Sequence, residues 1–316
     1  MATTTQAREP VTGRDASRLR RAARGRRYAW PYIFISPFFV LFGLFLVYPI
    51  LFSLFLSFHD WSGLGPKLYV GADNYRFLRG DELFWGSMKN SAIIFFIYVP
   101  LMTFLAVVLA VVLNAGYLRL QGVWRALIFL PHITSMVAAG YTFRLIFDTE
   151  SGFANDALGV VGAPSVAWLD SPGWARVTLG LLMIWAWLGY NMLIMLAGLQ
   201  TIPQDVTDAA RVDGANALQV FRRITLPLLR PQIVFAVTLS IIGTFSMFAE
   251  PWVLTRGGPV RATQTPVMDI YNATFEFLQY GYAAAMSYAY FAIIVVVTIV
   301  QFLLVSRREV APARGL

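Results

Sequence analysis

Six runs of apolar residues, each long enough to cross a lipid bilayer, constrain this chain more than any other feature. A helix rises 1.5 Å per residue and needs about 20 apolar residues to traverse the hydrocarbon core. Residues 30–58, 90–114, 123–147, 174–199, 227–249 and 283–305 each supply that length. With 58% hydrophobic and only 13% charged residues, a water-soluble fold would have nowhere to bury its apolar surface. Backbone in lipid must satisfy its own hydrogen bonds, which helices do internally. The expected fold is all-α, a polytopic membrane protein with six transmembrane helices. The run least like the others is 123–147, which carries Arg125, His132 and Arg144.

Basic residues set the expected orientation, because Lys and Arg in short flanking segments stay on the cytoplasmic side. Arg8, Arg14, Arg18, Arg20, Arg21, Arg24, Arg26 and Arg27 precede the first run, and Arg307, Arg308 and Arg314 follow the last. Both termini are therefore expected in the cytoplasm. On this reading the inner segments hold 17 of the 25 basic residues, and 11 of the 17 acidic residues lie outside. Arginines flanking a first span have a sufficient cause in topology, so no nucleic-acid partner is inferred from them. Residues 1–28 read as a disordered basic N-terminus, 29–309 as one membrane domain and 310–316 as a tail. The first run is too long for a signal-peptide core and has no small-residue cleavage site near its end, so it should remain as an anchor.

Several chemistries are excluded. The chain has no cysteine, and its two histidines, His59 and His132, are far apart, so neither disulfide nor thiolate nor a metal site is expected. It has no Gly-x-x-x-x-Gly-Lys-Ser/Thr phosphate loop and cannot be an ATPase itself. No nucleophile or acid–base cluster suggests an enzyme. No internal repeat of the kind that builds many secondary transporters is evident, and acidic residues are nearly absent from the runs between 30 and 249.

Residues 203–231 form a polar island in this apolar chain. Pro203 should stop the preceding helix, with Asp205 and Asp208 in the first turns of a new one, where the helix dipole favours negative charge. Asp213-Gly214 signals a turn, and Asn216 can cap a second helix ending on Arg222 and Arg223, with Pro227 closing the unit. Taken alone, the residues read more readily as an ordinary amphipathic loop on the membrane surface.

Order and spacing, however, resemble the signature loop of the membrane subunits of ABC importers: Glu-Ala-Ala, a Gly beyond it, then Ile-x-Leu-Pro. The matching residues are Asp208-Ala209-Ala210, Gly214 and Ile224-Thr225-Leu226-Pro227, with Asp213-Gly214-Ala215 in the form common among sugar importers. The first position is Asp208 where the family usually has Glu, which keeps the charge on a shorter side chain. Further matches are Asn90-Ser91, Phe129-Leu130-Pro131, Phe147-Asp148 with Gly152 and Asn155, Trp187-Leu188-Gly189-Tyr190-Asn191, and Leu254-Thr255-Arg256-Gly257-Gly258-Pro259. The resemblance covers residues 30–308.

The resemblance implies an ABC importer transmembrane domain in the cytoplasmic (inner) membrane of a prokaryote, carrying a carbohydrate of di- or oligosaccharide size. It implies a second permease subunit, two ATPase subunits that bind ATP and Mg, an extracytoplasmic sugar-binding protein and surrounding membrane lipid as partners. This chain would hold no cofactor. The coupling loop between spans four and five would engage the ATPase through Asp205, Asp208, Ala209, Ala210, Asp213, Gly214, Ala215, Phe221 and Pro227. A polyol or glycerol-phosphate cargo is the alternative within the class, and a gradient-driven secondary transporter the alternative outside it.

In the fifth run Ser240, Gly243, Thr244 and Met247 fall at i, i+3, i+4 and i+7, one face of a helix. Small residues so spaced serve either close helix packing or a polar path. The family takes its sugar contacts from this helix and the one before the signature loop. That resemblance nominates Ser240, Gly243, Thr244 and Met247, with Tyr190 and Asn191 from the fourth run. Met247 stands where many relatives carry a polar residue. His132 reads as a packed or hydrogen-bonded histidine, and Glu250 as a solvent-reachable residue at the outer rim.

Overall fold

The computed structural model describes residues 31–115 and 119–306. The expectations for residues 1–28 and 310–316, and for the arginines that set the orientation of the termini, lie outside the described residues. The chain divides into two compact units, the first ending at Phe55 and the second beginning at Leu56. In the first, helix α1 (Pro31–Leu56) has hardly a buried residue. Its rings stack along its length, Phe38 on Phe42 and Tyr48 on Phe52. A helix apolar all round is made for lipid or for other helices.

The second unit opens with a two-residue antiparallel ribbon, β1 (His59–Asp60) against β2 (Leu68–Tyr69), and helix α2 (Asp73–Arg79). Asn74 Nδ2 ties the ribbon down by donating to Ser57 O and His59 O at 2.9 and 3.0 Å. The 33-residue α3 (Glu82–Asn114) then starts where Asp81 Oδ1 accepts the N–H groups of Leu83 and Phe84. At about 50 Å it overshoots the roughly 30 Å hydrocarbon layer. The stretch between the first two apolar runs, 59–89, is thus ribbon and helix, and α3 begins eight residues before the second run, because capping chemistry rather than hydrophobicity fixes a helix start.

The expected continuous third span, 123–147, is instead two helices, α4 (Gln121–Ile133) and α5 (Met136–Ile146), bent by 93°. Pro131 lacks the N–H needed to continue α4, whose last four residues tighten into a 3₁₀ turn before Thr134 turns extended. The loop that follows holds α6 (Phe153–Val160). Asn155 organises it, Nδ2 donating to Thr149 O and Val166 O while Oδ1 accepts from Val166 N–H and Trp168 Nε1. Gly152 is needed there, since a Cβ would lie 2.3 Å from Asp148 O.

Helix α7 (Pro172–Gln200) packs along α3 more extensively than any other pair of described elements. The two run parallel: Gly180 abuts Ile97 and Tyr98 near one end, and Leu113 and Leu199 share an apolar cluster near the other. Lipid gives helices no hydrophobic reason to associate, so close approach at small residues holds them. After α8 (Gln204–Val212) and α9 (Ala217–Leu228) the chain bends by 61° into α10 (Arg230–Ser246). The expected fifth span, 227–249, is therefore the far limb of a longer bent pair, with Pro227 and Pro231 flanking the bend.

Short helices α11 (Ala249–Leu254) and α12 (Pro266–Tyr271) precede α13 (Tyr280–Ser306). Glu250 is not the solvent-reachable rim residue expected, because α11 lies against α5 and leaves it 8% exposed. Arg176 clamps the loop between α11 and α12, donating from Nε to Ala262 O and from Nη2 to Asn90 Oδ1, while Asn90 Nδ2 donates to Arg261 O. In sum, α1, α3, α7 and α13 are long and apolar enough to cross a membrane, and the bent pairs α4–α5 and α9–α10 bring the number to six if each is one span.

Candidate functional site

Two places carry the residues singled out by the sequence. The first is the elbow formed by α8 and α9. Pro203, in extended conformation, precedes α8, Asp205 lies in its first turn and Arg211 in its last. Asp208 pairs with Arg211 at 3.3 Å, both side chains well exposed, an exposed pair that contributes little to stability. The helix ends on a left-handed Gly214 at φ +86°, with Ala215 N–H bonded to Ala210 O and Asp213 N–H to Ala209 O. Asn216 then caps α9 as expected, in a reciprocal box with Gln219 at 2.9 and 2.8 Å.

Contrary to expectation, α9 does not end on Arg222 and Arg223. Phe221–Thr225 continue it as one wide turn, Leu226 N–H reaching back to Phe221 O. Pro227 cannot donate to the carbonyl one turn behind it, and a widened turn lets the helix pass this gap. Pro227 thus sits inside the helix and does not close the unit. Phe221 turns inward onto the apolar cluster shared by α3, α7 and α10, whereas Asp205, Asp208, Ala209, Asp213 and Gly214 are exposed. A Cβ on Gly214 would meet nothing within 4 Å. Between elbow and helix ends lies a cleft of about 820 Å³, lined by Asn114, Leu199, Asp208, Arg211, Phe221 and Thr225 among others.

The second place is a cavity of about 210 Å³ enclosed by α3, α7 and α10. Tyr190 and Asn191 of α7 and Ser240 and Gly243 of α10 line it, together with Tyr98, Met102, Met183 and Trp187. None of its lining residues is charged. Asn191 Nδ2 donates to Trp187 O at 3.0 Å and contacts Met102 Sδ at 3.7 Å. Ser240 Oγ donates to Ala236 O, and Thr244 Oγ1 to Ser240 O.

Thr244 and Met247 are not in the lining. Thr244 is fully buried against Tyr98, with 2.5 Å between the two oxygens. Met247 does not share the helical face of Ser240, because α10 ends at Ser246 and Met247 is extended, its carbonyl accepting from Thr265 Oγ1. Tyr98, Met102, Met183 and Trp187 were missed as site residues. A signal existed: Met183, Trp187, Tyr190 and Asn191 recur at i, i+4, i+7 and i+8, one helical stripe.

Residues 82–310 match the family model of the binding-protein-dependent transport system inner membrane component. The lactose transport system permease protein LacF of Rhizobium radiobacter is 37% identical over 283 residues, 88% of this chain and 94% of that protein. The arabinooligosaccharides transport system permease protein AraP of Bacillus subtilis is 34% identical, over 86% of this chain and 87% of that one. The crystal structure of a bacterial ABC transporter involved in the import of the acidic polysaccharide alginate superposes with a TM-score of 0.78 at 22% identity. It covers 91% of this chain and 99% of its counterpart, a likeness of fold. Family, sequence relatives and fold agree that the chain belongs to the binding-protein-dependent transport system inner membrane components: it is the permease of an ABC importer, a transport subunit and not an enzyme.

Proposed function

We propose that this permease carries an uncharged carbohydrate of di- or oligosaccharide size across the inner membrane of a prokaryote. A sugar-binding protein delivers it on the outer face, a second permease chain completes the path, and two ATPase subunits drive the cycle. The observation that carries this reading is the cavity, walled by Trp187, Tyr190 and Tyr98 and edged by Asn191 and Ser240 without a charge. Rings that stack on a sugar and a few fixed polar groups that orient it are what such a pocket needs. A phosphorylated polyol would call for a cation that this wall lacks.

The parallel run of α3 and α7 supports a count of six spans. A chain that crosses twice in one direction must return in between, and α4–α5 is the apolar pair available among the described residues of that stretch. An even count then sets both termini on one side, which the terminal arginines assign to the cytoplasm. The elbow shares that side, within reach of an ATPase. Because α9 continues through the 61° bend into α10, which carries Ser240 and Gly243, a displaced elbow moves one wall of the cavity. ATP-driven closure of the ATPases thereby shifts the balance between inward-open and outward-open arrangements.

Reconstitution with the cognate ATPase, second permease and binding protein tests the reading. Uptake should require ATP hydrolysis; uptake that persists without ATP and collapses with the proton gradient refutes it. Because the chain has no cysteine, single cysteines at the exposed Val212 and Val160 report sidedness directly. Val212→Cys should react with an impermeant maleimide only from the cytoplasm and Val160→Cys only from outside.

A further inference from the structure

One ring that does not line the cavity governs two that do. His132 lies in the 3₁₀ turn that ends α4, at the 93° bend. Its imidazole stacks on Tyr190, centroids 4.9 Å apart and planes 21° from parallel, and meets Trp187 edge-on at 4.6 Å. Phe129 backs it at 5.4 Å. Trp187 and Tyr190 stand 6.0 Å apart and nearly perpendicular, at 87°, so the imidazole fills the corner between them.

Its buried nitrogen does not explain its place. His132 Nδ1 is buried without a hydrogen-bond partner, whereas a buried polar group kept for its polarity is normally bonded. What the site uses is the face and edge of a flat ring. The seat is also fixed in depth: a Cβ on Gly189 would lie 2.2 Å from Ile128 O and 2.7 Å from Phe129 Cα. The backbones of α4 and α7 therefore touch one turn from His132. Trp187 Nε1 is likewise buried without a hydrogen-bond partner.

Resting on the function proposed above, we propose that His132 is a positioning residue for translocation, holding Tyr190 and Trp187 in the mutual orientation that receives a passing sugar ring. Without it the two rings gain rotational freedom, which each passage of cargo must freeze out again. The role depends on an aromatic plane and not on an imidazole nitrogen.

ATP-driven uptake by the reconstituted assembly, with its binding protein, decides the matter. His132→Ala should lower maximal uptake about tenfold, the size of two aromatic contacts. Half-saturating sugar concentration, ATPase co-purification and basal hydrolysis should not change. His132→Phe should recover to within about twofold of the parent, and His132→Gln, polar but without a ring, should not. His132→Ala combined with Tyr190→Ala should lose less than the product of the two single losses, because one of the two contacts of His132 is already gone in Tyr190→Ala. The proposal is overturned if Gln restores uptake and Phe does not, or if the double variant shows the product of the two single losses. Should the Ala variant fail to assemble, the Phe and Gln variants, close to histidine in size, decide by the same criterion. Absence of ATP-driven sugar uptake by the unaltered assembly would instead refute the functional reading itself.

Discussion

Tyr98 and Thr244, 146 residues apart in sequence, share a buried hydrogen bond of 2.5 Å that joins α3 to α10. The single Thr244 hydroxyl proton is directed to Ser240 O at 2.6 Å, so Tyr98 is the donor between them. The bond ties the fixed α3–α7 pair to the helix that continues from the elbow. Tyr98→Phe removes the donor but leaves Thr244 bonded to Ser240 O. The expected cost is about 1 kcal/mol, read as a modest fall in melting temperature in detergent. Since α10 is then less restrained, basal ATP hydrolysis in the absence of binding protein should rise. An unchanged melting temperature would show that the bond is not a net tie.

At the elbow, Gly214 is required for its left-handed backbone and has open space around it. Asn tolerates that conformation and Ala pays about 1–2 kcal/mol. Gly214→Asn should therefore keep most ATP-driven uptake, while Gly214→Asp should lose the co-purifying ATPase, its new charge lying on the face where the proposed docking puts the partner. The amount of chain in the membrane should be the same for both. Normal uptake by Gly214→Asp would remove the docking role.

At the opposite end, Asn90 bridges Arg176 and the carbonyl of Arg261, and so fastens the loop before α12 to α3 and α7. Asn90→Leu leaves the Arg176 guanidinium without that acceptor, a loss of about 1.5–3 kcal/mol for a hydrogen bond to a charged group. Limited trypsin digestion should then cut at Arg256 and Arg261 much faster than in the parent. Equal cleavage rates would mean that Arg176 holds the loop through Ala262 alone.

Burial of Glu250 pushes its carboxyl above the ordinary value of 4.5, only partly opposed by bonds to the backbone of Glu250 and Phe248. A raised value in the folded state means that ionisation costs more folded than unfolded. The associated stability is full below 4.5 and is lost as the pH rises through the higher folded value. Glu250→Gln should accordingly melt higher than the parent at pH 8, with the gap closing toward pH 4. A gap that is constant with pH would assign the effect to shape rather than charge.

Much of the elbow was legible in the sequence because its determinants are local. Pro203, the Asp213-Gly214 turn and the Asn216 cap each act within one helical turn, and each is where the residues placed it. The apolar runs were legible for the same reason, since length and composition suffice for a helix in lipid. The end of α9 was not, because helix termination at Pro227 competes with a widened turn that absorbs the missing N–H. Local rules do not rank those two outcomes.

The cavity was legible only in part. Tyr190, Asn191, Ser240 and Gly243 meet there, but the helical period carried Met247 onto a face that α10 does not reach. Tyr98 and Trp187 enter the wall through the pairing of α3 with α7, and His132 reaches its rings because Gly189 lets two backbones touch. Thus the sequence alone determined that this chain lives in a membrane, where its polar elbow lies and which family it resembles, all properties of neighbouring residues. Tertiary structure decided which side chains share the cavity, that Thr244 and Met247 stay out of its lining, and that Glu250 is buried. Those outcomes depend on contacts between segments tens to hundreds of residues apart, and no local pattern encodes their geometry.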